Sequence, residues 1–166
     1  MPRFNITKLD AGVTRAIKDL QSKSQSLRPV MEVIGSKINF HIQRGFRTSV
    51  DPWGKPWKQI KSRVGKPLVK RGLLRRMTIK ADDSSVTIGT NLKQAKLQHF
   101  GGIVRPKTQR YLRFKTPLFG WVFTRKVVIP ARPFLPINKQ GNTDIPEYMA
   151  KDVMMALRLY FRKNTP

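Results

Sequence analysis

The sequence contains no cysteine, which excludes disulfides and thiolate metal sites and suits a cytoplasmic folding compartment. Acidic residues are scarce, with 9 Asp and Glu against 34 Lys and Arg. Histidine occurs only as His41 and His99. Two isolated histidines, scattered carboxylates and no thiol present no constellation for a general base, a nucleophile or a metal. The expectation is a protein that is not an enzyme, with no catalytic residue, no metal and no cofactor. Long apolar runs are missing as well: none approaches the ~18 residues needed to cross a bilayer, so no membrane partner is expected. Met1–Asn5 shows no apolar core of a secretory signal. Hydrophobic residues make up 39%, below the usual ~45–50%, which predicts a modest core and much solvated or partner-covered surface.

What the chain has in excess is positive charge. Its net charge is +25 over 166 residues, with a sequence pI of about 11.5. A lone globule so charged repels itself and attracts polyanions, so nucleic acid, an acidic protein surface or an anionic membrane is the expected neighbour. The charge is gathered in blocks. Residues 51–80 hold ten basic and one acidic residue, and 101–140 hold nine basic and none acidic. The C-terminal stretch 141–166 is nearly neutral, with four against three. Two blocks suggest two surfaces that meet something negative.

Hydrophobic spacing predicts an α+β fold: N-terminal helices, a central antiparallel sheet with an extended basic hairpin, and a C-terminal helix. Residues 7–24 read as an amphipathic helix through Ile6, Leu9, Val13, Ile17 and Leu20. Pro29 suits the first turn of a second helix over 29–47, with Val30, Val33, Ile34, Ile38, Ile42 and Phe46 as its stripe. The two form either a hairpin or one kinked rod. His41 falls one position off that stripe and reads as structural or solvated. Asp51-Pro52-Trp53-Gly54-Lys55-Pro56-Trp57 is a tight aromatic loop. Its tryptophans either staple the loop to the helical layer or stack on bases, and the first is preferred. Residues 58–70 read as a basic loop. Strands around 77–79 and 85–90 flank Ala81–Ser84, a hairpin turn with Asp82 and Asp83 facing solvent. A short helix, Leu92–Phe100, starts at Asn91 and stops at Gly101-Gly102. Tyr111–Phe114 and Trp121–Thr124 pair around Pro117–Gly120, giving a hairpin with one apolar and one cationic face. The last helix begins near Asp144, Pro146 and Glu147, a capping-box pattern. The length suits one domain over 1–166, with 103–128 an extended hairpin or arm.

Ile129-Pro130-Ala131-Arg132-Pro133-Phe134-Leu135-Pro136-Ile137 stands apart. Three prolines at a spacing of three exclude a helix interior and push the preceding residues to extended geometry. The segment is a stiff rod. Phe134 and Leu135 are expected to be buried, and Arg132 to pair with a carboxylate or carbonyl of the same or a neighbouring subunit.

Five motifs occur in order: F-R-T-S-V-D-P-W-G-K-P-W (46–57), L-V-K-R-G-L-L (68–74), V-T-I-G-T (86–90), Q-H-F-G-G (98–102) and I-P-A-R-P-F-L-P-I (129–137). This pattern resembles the virion morphogenesis, or tail completion, family of Mu-like tailed phages and prophages, over roughly residues 30–160. The resemblance implies a non-enzymatic structural protein of the head–tail junction, a tail terminator or neck ring that joins the tail to the capsid connector during assembly. It implies a homo-oligomer, commonly a hexameric ring, with the tail tube or sheath terminus, neck or connector proteins and packaged DNA as partners. The place implied is the virion neck or tail end, after assembly in the host cytoplasm. The segment 103–128 is longer than a minimal member would need. Trp53, Trp57, His99, Phe100, Gly101, Gly102, Arg132, Pro133, Phe134 and Leu135 become candidate structural or interface residues. Arg105, Lys107, Arg110, Arg113, Lys115, Arg125 and Lys126 become candidates for meeting DNA or an acidic partner. The alternative is a free basic nucleic-acid-binding protein using Trp53, Trp57 and the hairpin.

Overall fold

The computed structural model describes residues 3–4, 15, 18, 26–60, 64–69 and 72–164. The helix expected over 7–24 lies outside them except at Arg15 and Lys18, which are helical and exposed. Part of the basic loop 58–70 lies outside them too. The described residues are α+β, as the spacing predicts, and fall into two compact units.

The first unit comprises 1–44, 77–90 and 136–166. Its long element is α1 (Arg28–Thr48), of which Arg28–Arg44 belongs here. The four-residue recurrence of Val30, Ile34, Ile38 and Ile42 puts all four on one face, and all are buried. Burying such a side chain stabilises by about 1.5–3 kcal/mol. Strands β1 (Arg3–Phe4), β2 (Thr78–Ala81) and β3 (Val86–Gly89) form an antiparallel sheet in the order β1-β3-β2. The central strand buries Val86 and Ile88 completely. Helix and sheet meet at Gly35, where a Cβ would lie 2.8 Å from Ile79 Cγ2 and from Val86 Cγ2. Only a glycine allows that approach without displacement.

The β2–β3 turn does more than face solvent. Asp82 closes it, accepting the Ser84 and Ser85 backbone N–H groups at 2.8 and 2.7 Å. Asp83 instead reaches the start of α1, where its Oδ1 accepts the Arg28 N–H at 3.0 Å and the Ser26 hydroxyl at 2.6 Å. The Ser26 hydroxyl also accepts the Arg28 N–H, at 3.2 Å, so the helix cap is shared between a local serine and a residue remote in sequence, and local spacing cannot reveal the second.

The last element in chain order, α3 (Glu147–Asn164), buries Met149, Val153 and Leu157 at four-residue steps. It begins later than the capping-box pattern suggests. Asp144 lies three residues ahead of it, and its N–H donates to the Pro136 carbonyl at 2.9 Å. Between α1 and α3 sits His41, which is only 3% exposed. Its Nε2 lies 3.0 Å from Asp152 Oδ2 without aligning as a hydrogen bond, and Tyr148 packs edge-on at 5.4 Å. Burial lowers its pKa below the ordinary histidine value, against the opposing pull of Asp152.

The second unit comprises 45–76 and 91–135. It holds a short 3₁₀ turn (Leu73–Arg75), α2 (Ala95–Phe100) and four strands. β4 (Gly102–Val104) pairs antiparallel with β7 (Val127–Ile129), and β5 (Leu112–Thr116) pairs with β6 (Gly120–Thr124). Helix α2 starts after Gln94, three residues later than the Asn91 cap would place it. It stops at Gly101, whose φ of 73° is a left-handed conformation that favours glycine.

Candidate assembly surface

The proline rod as far as Leu135 is built into the second unit, and Pro136 and Ile137 belong to the first. With prolines at 130 and 133, the backbone N–H groups of Arg132 and Phe134 are donors on the path beside α2. The Arg132 N–H donates to the Gln98 carbonyl at 3.0 Å, and the Phe134 N–H donates to His99 Nδ1 at 3.2 Å. A nitrogen that accepts is unprotonated, so His99 serves here as a backbone acceptor. Its ring is buried edge-on against Phe100 (4.4 Å) and Phe134 (5.1 Å).

Phe134 and Leu135 are buried. Phe134 continues the aromatic stack through Phe46 to Trp57, each step 5.5 Å between centroids. Trp57 donates its Nε1–H to the Pro133 carbonyl at 2.7 Å. Arg132 is 7% exposed and donates from Nε to the Lys58 carbonyl (2.8 Å) and from Nη2 to the Gln59 carbonyl (3.3 Å). Its partners are therefore carbonyls of the same chain. Gly101 seals the junction, since a Cβ there would lie 2.6 Å from the Ala131 nitrogen and 2.8 Å from the Ile129 oxygen. Gly102 is half-buried at the start of β4, and Pro133 is half-buried on the rod. The two tryptophans part company. Trp57 is a core residue, whereas Trp53 is 42% exposed on a turn closed by Asp51, which accepts the N–H groups of Trp53 and Lys55.

The seven predicted basic residues lie elsewhere, on an arm. The β4–β7 ladder sets Val104 opposite Val127 and so closes the base of residues 105–126. Arg105, Lys107, Arg110, Arg113, Lys115, Arg125 and Lys126 are all exposed on this arm. Antiparallel register decides its faces. Arg113 stands opposite Phe123 and Lys115 opposite Trp121, all four exposed. Leu112, Phe114 and Val122 share the other, half-buried face. The cationic face expected from alternation is thus present, but it also carries two large aromatics. Only the register could show this, because alternation within each strand leaves the pairing open.

The Arg113 guanidinium lies over the Trp121 ring at 4.4 Å and near Phe123 at 5.8 Å. Arg110 and Arg125 flank Tyr111 at 5.6 and 5.8 Å. Such exposed cation–π contacts contribute about 0.5–1 kcal/mol each and hold cations and rings in a fixed pattern. Leu118 and Phe119 sit at the tip, and Ile103 pairs with Val128 at the base. These four, with Trp121 and Phe123, are each more than half exposed. Large apolar side chains left in water on so short a segment mark a surface made to be covered.

The sequence profile of the phage virion morphogenesis family matches residues 9–154. The chain belongs to that family. It is 31% identical over 137 residues to Mu-like prophage FluMu G protein 2 of Haemophilus influenzae, covering 81% of this chain and 84% of that protein. No solved structure gives a significant match. As a member of the family, the protein has a role in assembling a phage virion. The described residues contain no group of three or more His, Cys, Asp or Glu side chains that could hold a metal ion, and no helix long and apolar enough to cross a membrane.

The exposed apolar residues of the arm are what the sequence reading missed as site residues. Their signal was present in Leu118-Phe119 within the turn, where polar residues are the norm.

Proposed function

We propose that this virion morphogenesis protein is a structural, non-catalytic component of the head–tail junction, a tail-completion or neck ring subunit that joins the tail to the connector. The observation that carries the reading is the arm. A cationic hairpin with more than half-exposed Trp, Phe, Leu, Ile and Val side chains is costly in isolation and is relieved by an interface. The net charge of +25 requires a polyanionic neighbourhood, which packaged DNA passing through a neck and acidic virion proteins both supply. The low apolar share agrees with protomers that complete their surfaces against one another in a closed, six-membered ring.

Deleting the gene from an inducible phage or prophage tests the reading. Electron microscopy should then show filled heads and separate tails with few joined virions. Native mass measurement of the purified chain, alone and with tail components, should show a hexamer. Normal virion yield from the deletion overturns the proposal.

A further inference from the structure

The outward face of the β5–β6 hairpin carries enough detail to say what covers it. Three classes of surface could: DNA, a second copy of this chain, or a different, acidic protein. DNA offers phosphates to Arg113 and Lys115, but to cover the tip, where Leu118 and Phe119 are 54% and 67% exposed, it would have to unstack base pairs at a cost of a few kcal/mol per step. One face of the Trp121 indole, on which an unpaired base would stack, already has the Arg113 guanidinium over it at 4.4 Å. A guanidinium stacked in that way keeps its edge N–H groups available to carboxylates.

A second copy is a poor match in charge. The chain has 9 acidic residues, and Glu32, Asp82, Asp83, Glu147 and Asp152 already face partners within their own unit. Asp51 is likewise engaged by the N–H groups of its own turn. Docking one +25 subunit onto another through this face would bring like charges together.

We infer that the hairpin docks into an acidic surface of a different virion protein, with Leu118 and Phe119 entering an apolar pocket and Arg113 and Lys115 meeting carboxylates at its rim. The inference rests on the proposed place in the virion and gives the chemistry of the partner there. The apolar tip supplies buried area, and the stacked arginine supplies a preordered, directional charge contact.

The test places a photo-crosslinking group in the assembled particle, through Phe119→p-benzoylphenylalanine. The expected result is an adduct to a second virion protein, with the crosslinked peptide rich in Asp and Glu. An adduct to DNA or to another copy of this chain, or no adduct from chain present in the particle, overturns the inference. Absence of the wild-type chain from heads, tails and joined virions defeats the proposed place in the virion as well, so the two failures are distinguishable.

A paired variant, Leu118→Ser with Phe119→Ser, supplies an independent measurement on exposed positions. Its incorporation into particles should fall at least tenfold, while its melting temperature stays within a few degrees of wild type and its affinity for a duplex DNA probe within twofold. Equal losses of DNA affinity and incorporation would assign the face to DNA instead.

Discussion

The indole Nε1–H of Trp57 donates to the Pro133 carbonyl at 2.7 Å, joining residues 76 apart in sequence. Trp57 also packs edge-to-face against Phe46 and is 4% exposed. Trp57→Phe keeps most of the buried area but removes the donor, and should destabilise by about 1–3 kcal/mol. Trp57→Ala loses both and should cost about 3–5 kcal/mol. Urea unfolding monitored by circular dichroism checks both values, and wild-type stability in Trp57→Phe would show that the hydrogen bond contributes nothing.

Arg132 is buried with its guanidinium on the Lys58 and Gln59 carbonyls. Arg132→Lys keeps the charge but replaces a planar fork with a point donor that cannot match both carbonyls. A loss of about 1.5–3 kcal/mol is expected in denaturant unfolding. Wild-type stability in this variant would mean that the fork geometry is dispensable.

Gly101 and Gly35 predict different outcomes for the same change. At Gly101, alanine meets backbone atoms at 2.6 and 2.8 Å and carries a φ of 73°. Left-handed strain alone costs about 1–2 kcal/mol, and fixed backbone cannot yield, so Gly101→Ala should fail to accumulate as soluble protein. At Gly35 the obstacles are two methyl groups, and alanine gains helix propensity of about 1 kcal/mol. Overpacking of about 1–3 kcal/mol exceeds that gain, so Gly35→Ala should fold with reduced stability. Soluble expression and thermal melting separate the two.

His41 gives the fold a pH dependence of definite sign. Burial lowers its folded pKa below the ordinary 6.5, so the neutral ring is the form the fold prefers. Its contribution is fully present above about 6.5 and is lost as pH falls from there toward the folded pKa. Melting temperature should therefore drop between pH 7 and pH 5, and His41→Leu should flatten that drop. Asp152→Asn removes the group that opposes the shift and should steepen it. At lower pH, Asp82, held down to about 2 by its Ser84 and Ser85 hydrogen bonds, adds a loss as pH falls from 3.8 through that value.

On the proposed role at the head–tail junction, replacing Arg110, Arg113 and Lys115 together by Ser should reduce head–tail joining at least tenfold while the far-UV spectrum is kept and the melting temperature falls by only a few degrees, from the lost cation–π contacts. The three side chains are exposed and the hairpin's half-buried face does not involve them. Counting joined virions by electron microscopy checks this, and a normal yield would remove the arm's cations from the joining step.

Much of the architecture was legible because it follows local rules. Ile34, Ile38 and Ile42 announced a helix face, and Pro130, Pro133 and Pro136 announced an extended rod. Tyr111–Phe114 and Trp121–Thr124 announced a hairpin, whose strands run Leu112–Thr116 and Gly120–Thr124. What was hidden depends on partners distant in sequence. His41 looked peripheral to its stripe because its burial comes from Asp152 and Tyr148 on another helix. Asp83 looked like a solvated turn residue because the helix it caps begins 55 positions earlier. On the arm, alternation revealed the cations, while the register placed Trp121 and Phe123 beside them.

The cap supplied by Asp83 also orders events during synthesis. As the chain leaves the ribosome, the first turn of α1 and its local Ser26 cap are complete in sequence while Asp83 has yet to be translated. The wait is longer for Trp57, whose acceptor Pro133 emerges 76 residues later. Each unit is therefore closed by its later-made segments, so a chain truncated before residue 133 should be a substrate for proteases and chaperones rather than a shortened working subunit.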